Sequence, residues 1–166
     1  MNFKLIHRRY LVAIYFFVGY IVLATIVRTI LAVISIDKLE LSMYSALKIF
    51  GNGFFFDLIV SSSFLSIYMV YLTFFPSKWI GKKIDIVLNY CILSLLFFIV
   101  LFSFFAEFPF WDEFNTRFNF IAVDYLIYTY EVVENINQSY PLPVILFVLI
   151  GCIGVIFYVL KKNKIW

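Results

Sequence analysis

Residues 11–36 read LVAIYFFVGYIVLATIVRTILAVISI, an unbroken apolar run whose single charge, Arg28, lies near its far end. Crossing the hydrocarbon of a bilayer takes about 20 predominantly apolar residues in a helix, and this run is longer than that. A basic start, MNFKLIHRRY, precedes it with Lys4, His7, Arg8 and Arg9, so a secretory signal peptide is the first reading to weigh. The apolar part is too long for a signal core and no small-x-small cleavage site closes it. The segment therefore reads as a helix that stays in the membrane.

Working outward, the same pattern recurs at residues 54–75, 84–105 and 142–160. The whole chain is 64% hydrophobic, 22% aromatic and 14% charged, with mean hydropathy +1.01. A soluble domain is about half apolar and about a quarter charged. The fold class expected is an all-α integral membrane protein: four transmembrane helices, plus an extracytoplasmic amphipathic helix before the last one, in a single membrane domain spanning 1–166. Between the first two spans, residues 37–52 read as a connector with a short interfacial helix around Ser42–Phe50. Gly51-Asn52-Gly53 reads as a turn. It is not a phosphate loop, because it lacks the glycine spacing and the Lys-Ser/Thr follow-up. Ser61, Ser62, Ser63 and Ser66 are small polar residues of the kind that let helices pack closely in lipid. Cys91 and Cys152 each lie inside an apolar run and read as small hydrophobes, not as a disulfide or a metal pair.

The net charge is +3, and the bases are clustered. They fall in the N-terminal segment, in SKWIGKK (77–83) and in the KKNK tail (161–164). Four spans put all three segments on one side, and Lys and Arg accumulate on the cytoplasmic side. Both termini are thus expected to be cytoplasmic, in a multi-pass protein. Bases confined to membrane ends exclude a nucleic-acid partner and leave membrane lipids as the expected one.

On the opposite side lies residues 107–141, EFPFWDEFNTRFNFIAVDYLIYTYEVVENINQSYP, which holds Glu107, Asp112, Glu113, Asp124, Glu131 and Glu134 against one base, Arg117. From Arg117 the pattern is helical: Arg117, Asp124, Glu131 and Gln138 recur at a spacing of seven and share one stripe. Tyr125, Val132 and Ile136 lie on another face. Such a helix is too polar to span and suits the interface, and the preceding Phe108, Phe110, Trp111, Phe114, Phe118 and Phe120 suit the headgroup region. Pro141 and Pro143 end it before the last span. Asp124, Glu131 and Glu134 have no histidine near them, His7 being on the other side, so no metal site is expected. Asn137-Gln138-Ser139 matches the glycosylation sequon, a match frequent by chance.

Three charges lie within the spans. Arg28 either snorkels to the headgroups or pairs with an acid. Asp57 is at similar depth on the next span, so an Arg28–Asp57 contact is predicted. Asp85, beside Lys82 and Lys83, reads as favourable placement near a helix N-terminus. The candidate structural or lipid-headgroup contacts are thus Arg28, Asp57, Arg117, Asp124 and Glu131. No catalytic, cofactor-binding or metal-binding residue is expected, and no cofactor. With charges near helix ends, a transporter or channel is disfavoured too.

The segment TRFNFIAVDYLIYTYEVVENINQSYP, Thr116–Pro141, resembles the stretch that precedes the last membrane helices in lipoteichoic-acid-synthase-like and phosphoglycerol-transferase proteins of bacteria, within the alkaline-phosphatase/sulfatase superfamily. The likeness lies in Arg117-Phe118-Asn119-Phe120, Val123-Asp124-Tyr125-Leu126, Glu131-Val132 and Ser139-Tyr140-Pro141. GFFFDL, Gly53–Leu58, is similar to that family's second helix, with Asp57 at its acidic position. The resemblance implies a bacterial cytoplasmic (inner) membrane location in the cell envelope. It also implies a membrane-anchor role beneath a metal-dependent, threonine-using transferase domain for lipid headgroups. These 166 residues match the membrane part alone, so the expectation is a truncated or split form without catalysis of its own, partnered by a separately encoded extracytoplasmic catalytic domain. The alternative is a self-contained small membrane protein acting as a partner or assembly subunit.

Overall fold

The computed structural model describes residues 3–36, 42–119, 134, 137 and 140–162. Among these residues the structure is helical, without a strand: α1 (Phe3–Ile34), α2 (Met43–Phe74), a 3₁₀ turn (Ser77–Trp79), α3 (Lys83–Phe114) and α4 (Leu142–Lys162). All four helices are long and apolar enough to cross a membrane. The first three have 32 residues each, which at 1.5 Å per residue is about 48 Å. The hydrocarbon core is about 30 Å thick, so each of these helices reaches well past it.

The distribution of residues is inside out relative to a soluble protein. Arg28, Asp57, Asp85, Asn89 and Glu107 are buried, while Ile14, Val18, Val22, Ile26 and Val33 of α1 face outward. Charged side chains are almost never fully buried unless paired. An aliphatic outside around a charged inside is the arrangement lipid as solvent selects. This is the fold of a multi-pass membrane protein.

On α1, Val12, Ala13, Phe16, Ala24, Val27, Arg28 and Leu31 are buried, a spacing of three and four that marks one face. That face meets α2 and α3, which supply Tyr68, Leu72, Leu93, Leu96, Val100 and Phe104 to the same core. Phe16 packs on Phe97 at 5.2 Å between ring centroids, and Tyr20 on Phe104 at 5.1 Å. The helix α4 leans chiefly on α3, where Phe157 meets Tyr90 at 5.0 Å and Phe97 at 6.2 Å. The thiols of Cys91 and Cys152 face outward. Of the serines on α2, Ser61 alone is fully inside, at 0% exposure. Ser63 and Ser66 point away from this bundle and donate to the carbonyls of Ile59 and Ser63, so close packing through the whole serine group is not what holds these helices together.

Three expected boundaries are corrected. Gly51-Asn52-Gly53 is no turn: α2 runs through it from Met43, and neither glycine has a positive φ. The third span does not stop at Phe105, because α3 continues through Glu107 and Pro109 to Phe114. Proline inside a membrane helix is tolerated where neighbours and local adjustments satisfy the freed carbonyl. Phe108, Phe110, Trp111 and Phe114 thus belong to the last turns of α3 and not to a separate interfacial segment. Residues 117–119, expected to open the amphipathic helix, are not helical. The remainder of that helix, including Asp124 and Glu131, falls on positions outside the described residues.

Candidate functional site

Buried charges gather at the two ends of the α1–α3 bundle. At one end Arg28 donates through Nη2 to Asp57 Oδ2 at 2.5 Å. Arg28 is 4% exposed and Asp57 5%. The contact expected from their similar depth is present, and it is a helix-to-helix pair, not a snorkelling arginine. What makes it possible is Gly53, one turn before Asp57 on α2. A Cβ at Gly53 would stand 2.2 Å from Arg28 Nε and 2.3 Å from its Cζ. The glycine that reads as a turn signal is there for close approach: only hydrogen leaves room for the guanidinium.

Beside this pair lies a second one. Glu107, on α3, is 4% exposed. Arg117 grips it with both prongs, Nε on Oε1 and Nη2 on Oε2, the latter at 3.0 Å. The two residues meet because the chain reverses at Asn115. Its φ of 50° is left-handed, and its N–H caps α3 by donating to the Trp111 carbonyl at 2.8 Å. A left-handed residue just past a helix end, glycine or asparagine, is the common way to turn the chain back. Residues 116–118 then fold over the last turns of α3, where Phe118 lies 4.9 Å from Phe110. Trp111 Nε1 donates to Ser35 Oγ at 3.2 Å and ties this end of α3 to the end of α1.

The four charges form one group. Arg117 lies near enough to Asp57 and Tyr20 to feel both, and Tyr20 feels all four. Burial disfavours the charged guanidinium of Arg117, but the hydrogen bonds and charge of Glu107 outweigh it and hold its pKa above the usual arginine value. Arg117 therefore stays cationic across the whole physiological range. The two acids and two bases balance. Arg117 stands at the rim: its side chain is 35% exposed, against 5% for Glu107.

No family model, curated protein or solved structure matches the chain.

At the opposite end, Asp85 is 3% exposed and collects four partners. Tyr71 donates its hydroxyl at 3.0 Å, Asn89 its amide at 3.0 Å and Gly81 its backbone N–H at 2.8 Å, while Arg9 Nη2 stands 2.9 Å away. Tyr68 in turn donates to Asn89 Oδ1 at 2.9 Å. Gly81 reaches Asp85 because its φ of 81° bends the loop into α3. Asp85 does sit in the first turn of its helix, as expected. The exposed lysines beside it, Lys82 and Lys83, are not its partners; Arg9 from α1 is.

Sequence reasoning thus finds one of the three ion pairs seen among the described residues. Arg9 reads as part of a basic flank and Glu107 as part of a solvated acidic stretch, and both are buried participants. A usable signal was present for Glu107. It lies eleven positions after Leu96 and seven after Val100, both core residues of α3, so continuing that helix puts it on the core face. Among the described residues no group of three or more His, Cys, Asp or Glu is placed to hold a metal ion.

Proposed function

We propose that this chain is a membrane-anchor domain like that of the phosphoglycerol (lipid headgroup) transferases of the bacterial envelope. It lies in the cytoplasmic membrane with both termini in the cytoplasm, and it anchors and orients while catalysis belongs to a separate extracytoplasmic domain. The observation that carries this reading is the closed set of pairs Arg28–Asp57 and Glu107–Arg117 under residues 115–119. Charges that neutralise one another in pairs hold helices together, and none of these four is left free for acid–base chemistry. Arg117 alone of the four reaches the surface, as a headgroup-facing or domain-facing cation would. It also opens the Thr116–Pro141 segment that resembles the family.

The test is the coding sequence downstream of Trp166 and in the adjacent genes, followed by reconstitution. A continuing frame or neighbouring gene for a metal-dependent sulfatase-like domain is expected. Headgroup transfer from phosphatidylglycerol is then expected to require this chain in the same membrane and to fall with Arg117→Gln. Unrelated coding sequence there, together with co-purification of a different stable partner, would overturn the reading in favour of a self-contained assembly subunit.

A further inference from the structure

The basic end of the bundle holds a feature that the anchor reading does not use. The guanidinium of Arg9 is buried between α1, α2 and α3, its side chain 11% exposed, with Cζ 5.4 Å from the ring centres of both Tyr71 and Phe75. Its Nη2 approaches Asp85 at 2.9 Å, yet the N–H directions do not make that approach a hydrogen bond. Nε and Nη2 have almost no accessible surface, and their polar neighbours are Asp85 and the Tyr71 hydroxyl. Asp85 has little left to offer, since Tyr71, Asn89 and Gly81 already donate to its two oxygens.

Arg9 also lines a cavity of about 260 Å³ whose other walls include Tyr10, Thr73, Phe75, Ser77 and Ile80. Three of those residues bring hydroxyls, of which that of Thr73 already donates to the Met69 carbonyl at 2.8 Å, and Phe75 and Ile80 are half-buried apolar surface. The adjoining segment into the start of α3 carries Lys78, Lys82 and Lys83, all exposed. A cavity with an apolar floor, hydroxyls at its wall, an arginine in its lining and lysines on the adjoining segment matches one ligand chemistry. That ligand is a phosphate diester bearing net negative charge and attached to an apolar body. Arginine is suited to it, because its planar fork matches phosphate oxygens, and lysines near a membrane surface favour anionic lipid.

We propose that this cavity is a binding site for the phosphate of an anionic glycerophospholipid, with Arg9 as the central donor and Ser77 and Thr73 at its edge. The site lies at the end of the bundle opposite Arg117, so it stands or falls independently of the anchor reading.

The experiment uses the full chain in neutral detergent micelles. Phosphatidylglycerol, phosphatidylcholine or inorganic phosphate is added, and the thermal unfolding midpoint and lipid retained after washing are read. Phosphatidylglycerol is expected to raise the midpoint and to be retained about tenfold better than phosphatidylcholine. Arg9→Lys, which keeps a cation beside Asp85 but loses the fork, is expected to lose most of that preference. Ser77→Asp, which touches neither partner of the ion pair and sets a carboxylate where the phosphate would lie, is expected to lose it too. Should Arg9→Lys fail to fold, Ser77→Asp carries the test alone. Equal retention of the two lipids, or a preference that survives Ser77→Asp, would overturn the site. A rise with inorganic phosphate alone that matches that of phosphatidylglycerol would overturn the lipid as its source.

Discussion

Arg28 occupies the space that a side chain at Gly53 would fill. A Cβ there would stand 2.2 Å from Nε, and the guanidinium cannot retreat easily because it is 4% exposed and held by Asp57. In an ordinary helix interior, glycine to alanine gains about 1 kcal/mol. Here Gly53→Ala is expected to lose about 1–3 kcal/mol, as overpacking does. Unfolding in a denaturing-detergent titration checks the sign. Pairing Gly53→Ala with Arg28→Ala should recover most of the loss that belongs to the clash.

The Arg28–Asp57 pair makes a second prediction. Removing one partner of a buried ion pair costs about 3–5 kcal/mol, because the other charge is left unpaired. Arg28→Gln and Asp57→Asn are each expected to destabilise by that order, and the double variant by no more than either single. A double variant whose loss equals the sum of the two would mean that the residues do not hold each other.

The chain reversal after α3 makes a third. Asn115 has a φ of 50°, where a β-carbon costs about 1–2 kcal/mol. Asn115→Gly is therefore expected to be about 1 kcal/mol more stable than Asn115→Ala. The alanine variant should also loosen the grip of Arg117 on Glu107, seen as faster proteolysis near Phe118. Equal behaviour of the two variants would contradict the role assigned to this turn.

How much of this was legible in the sequence follows from the physics of each element. The four spans are legible because lipid demands long apolar runs, and no tertiary contact can disguise them. Arg28 and Asp57 are legible because each is a lone charge in such a run. Arg9–Asp85 is hidden by its neighbours: Arg9 follows Arg8 in a basic flank, and Asp85 follows two lysines, so each has a local explanation. Glu107 is hidden by Pro109, which reads as a stop but is absorbed inside α3. Gly51-Asn52-Gly53 misleads for a related reason. Glycine marks both turns and close approaches, and only the position of Arg28 across the interface says which. The stripe through Asp124 and Glu131 falls outside the described residues, and Arg117, placed on it by spacing, turns back to Glu107 instead.

The central claim is a membrane bundle with Arg117 at one end and the loop after α2 at the other, the chain returning through α4. Cysteine mapping in intact cells and in inverted vesicles tests it most directly. With Cys91 and Cys152 replaced by alanine, single cysteines at Ser77, Asn115 and Lys162 are treated with a membrane-impermeant thiol reagent. The expected result is that Asn115→Cys labels in intact cells, while Ser77→Cys and Lys162→Cys label only in inverted vesicles. Labelling of Ser77→Cys and Asn115→Cys from the same side, or of Lys162→Cys in intact cells, would contradict the account.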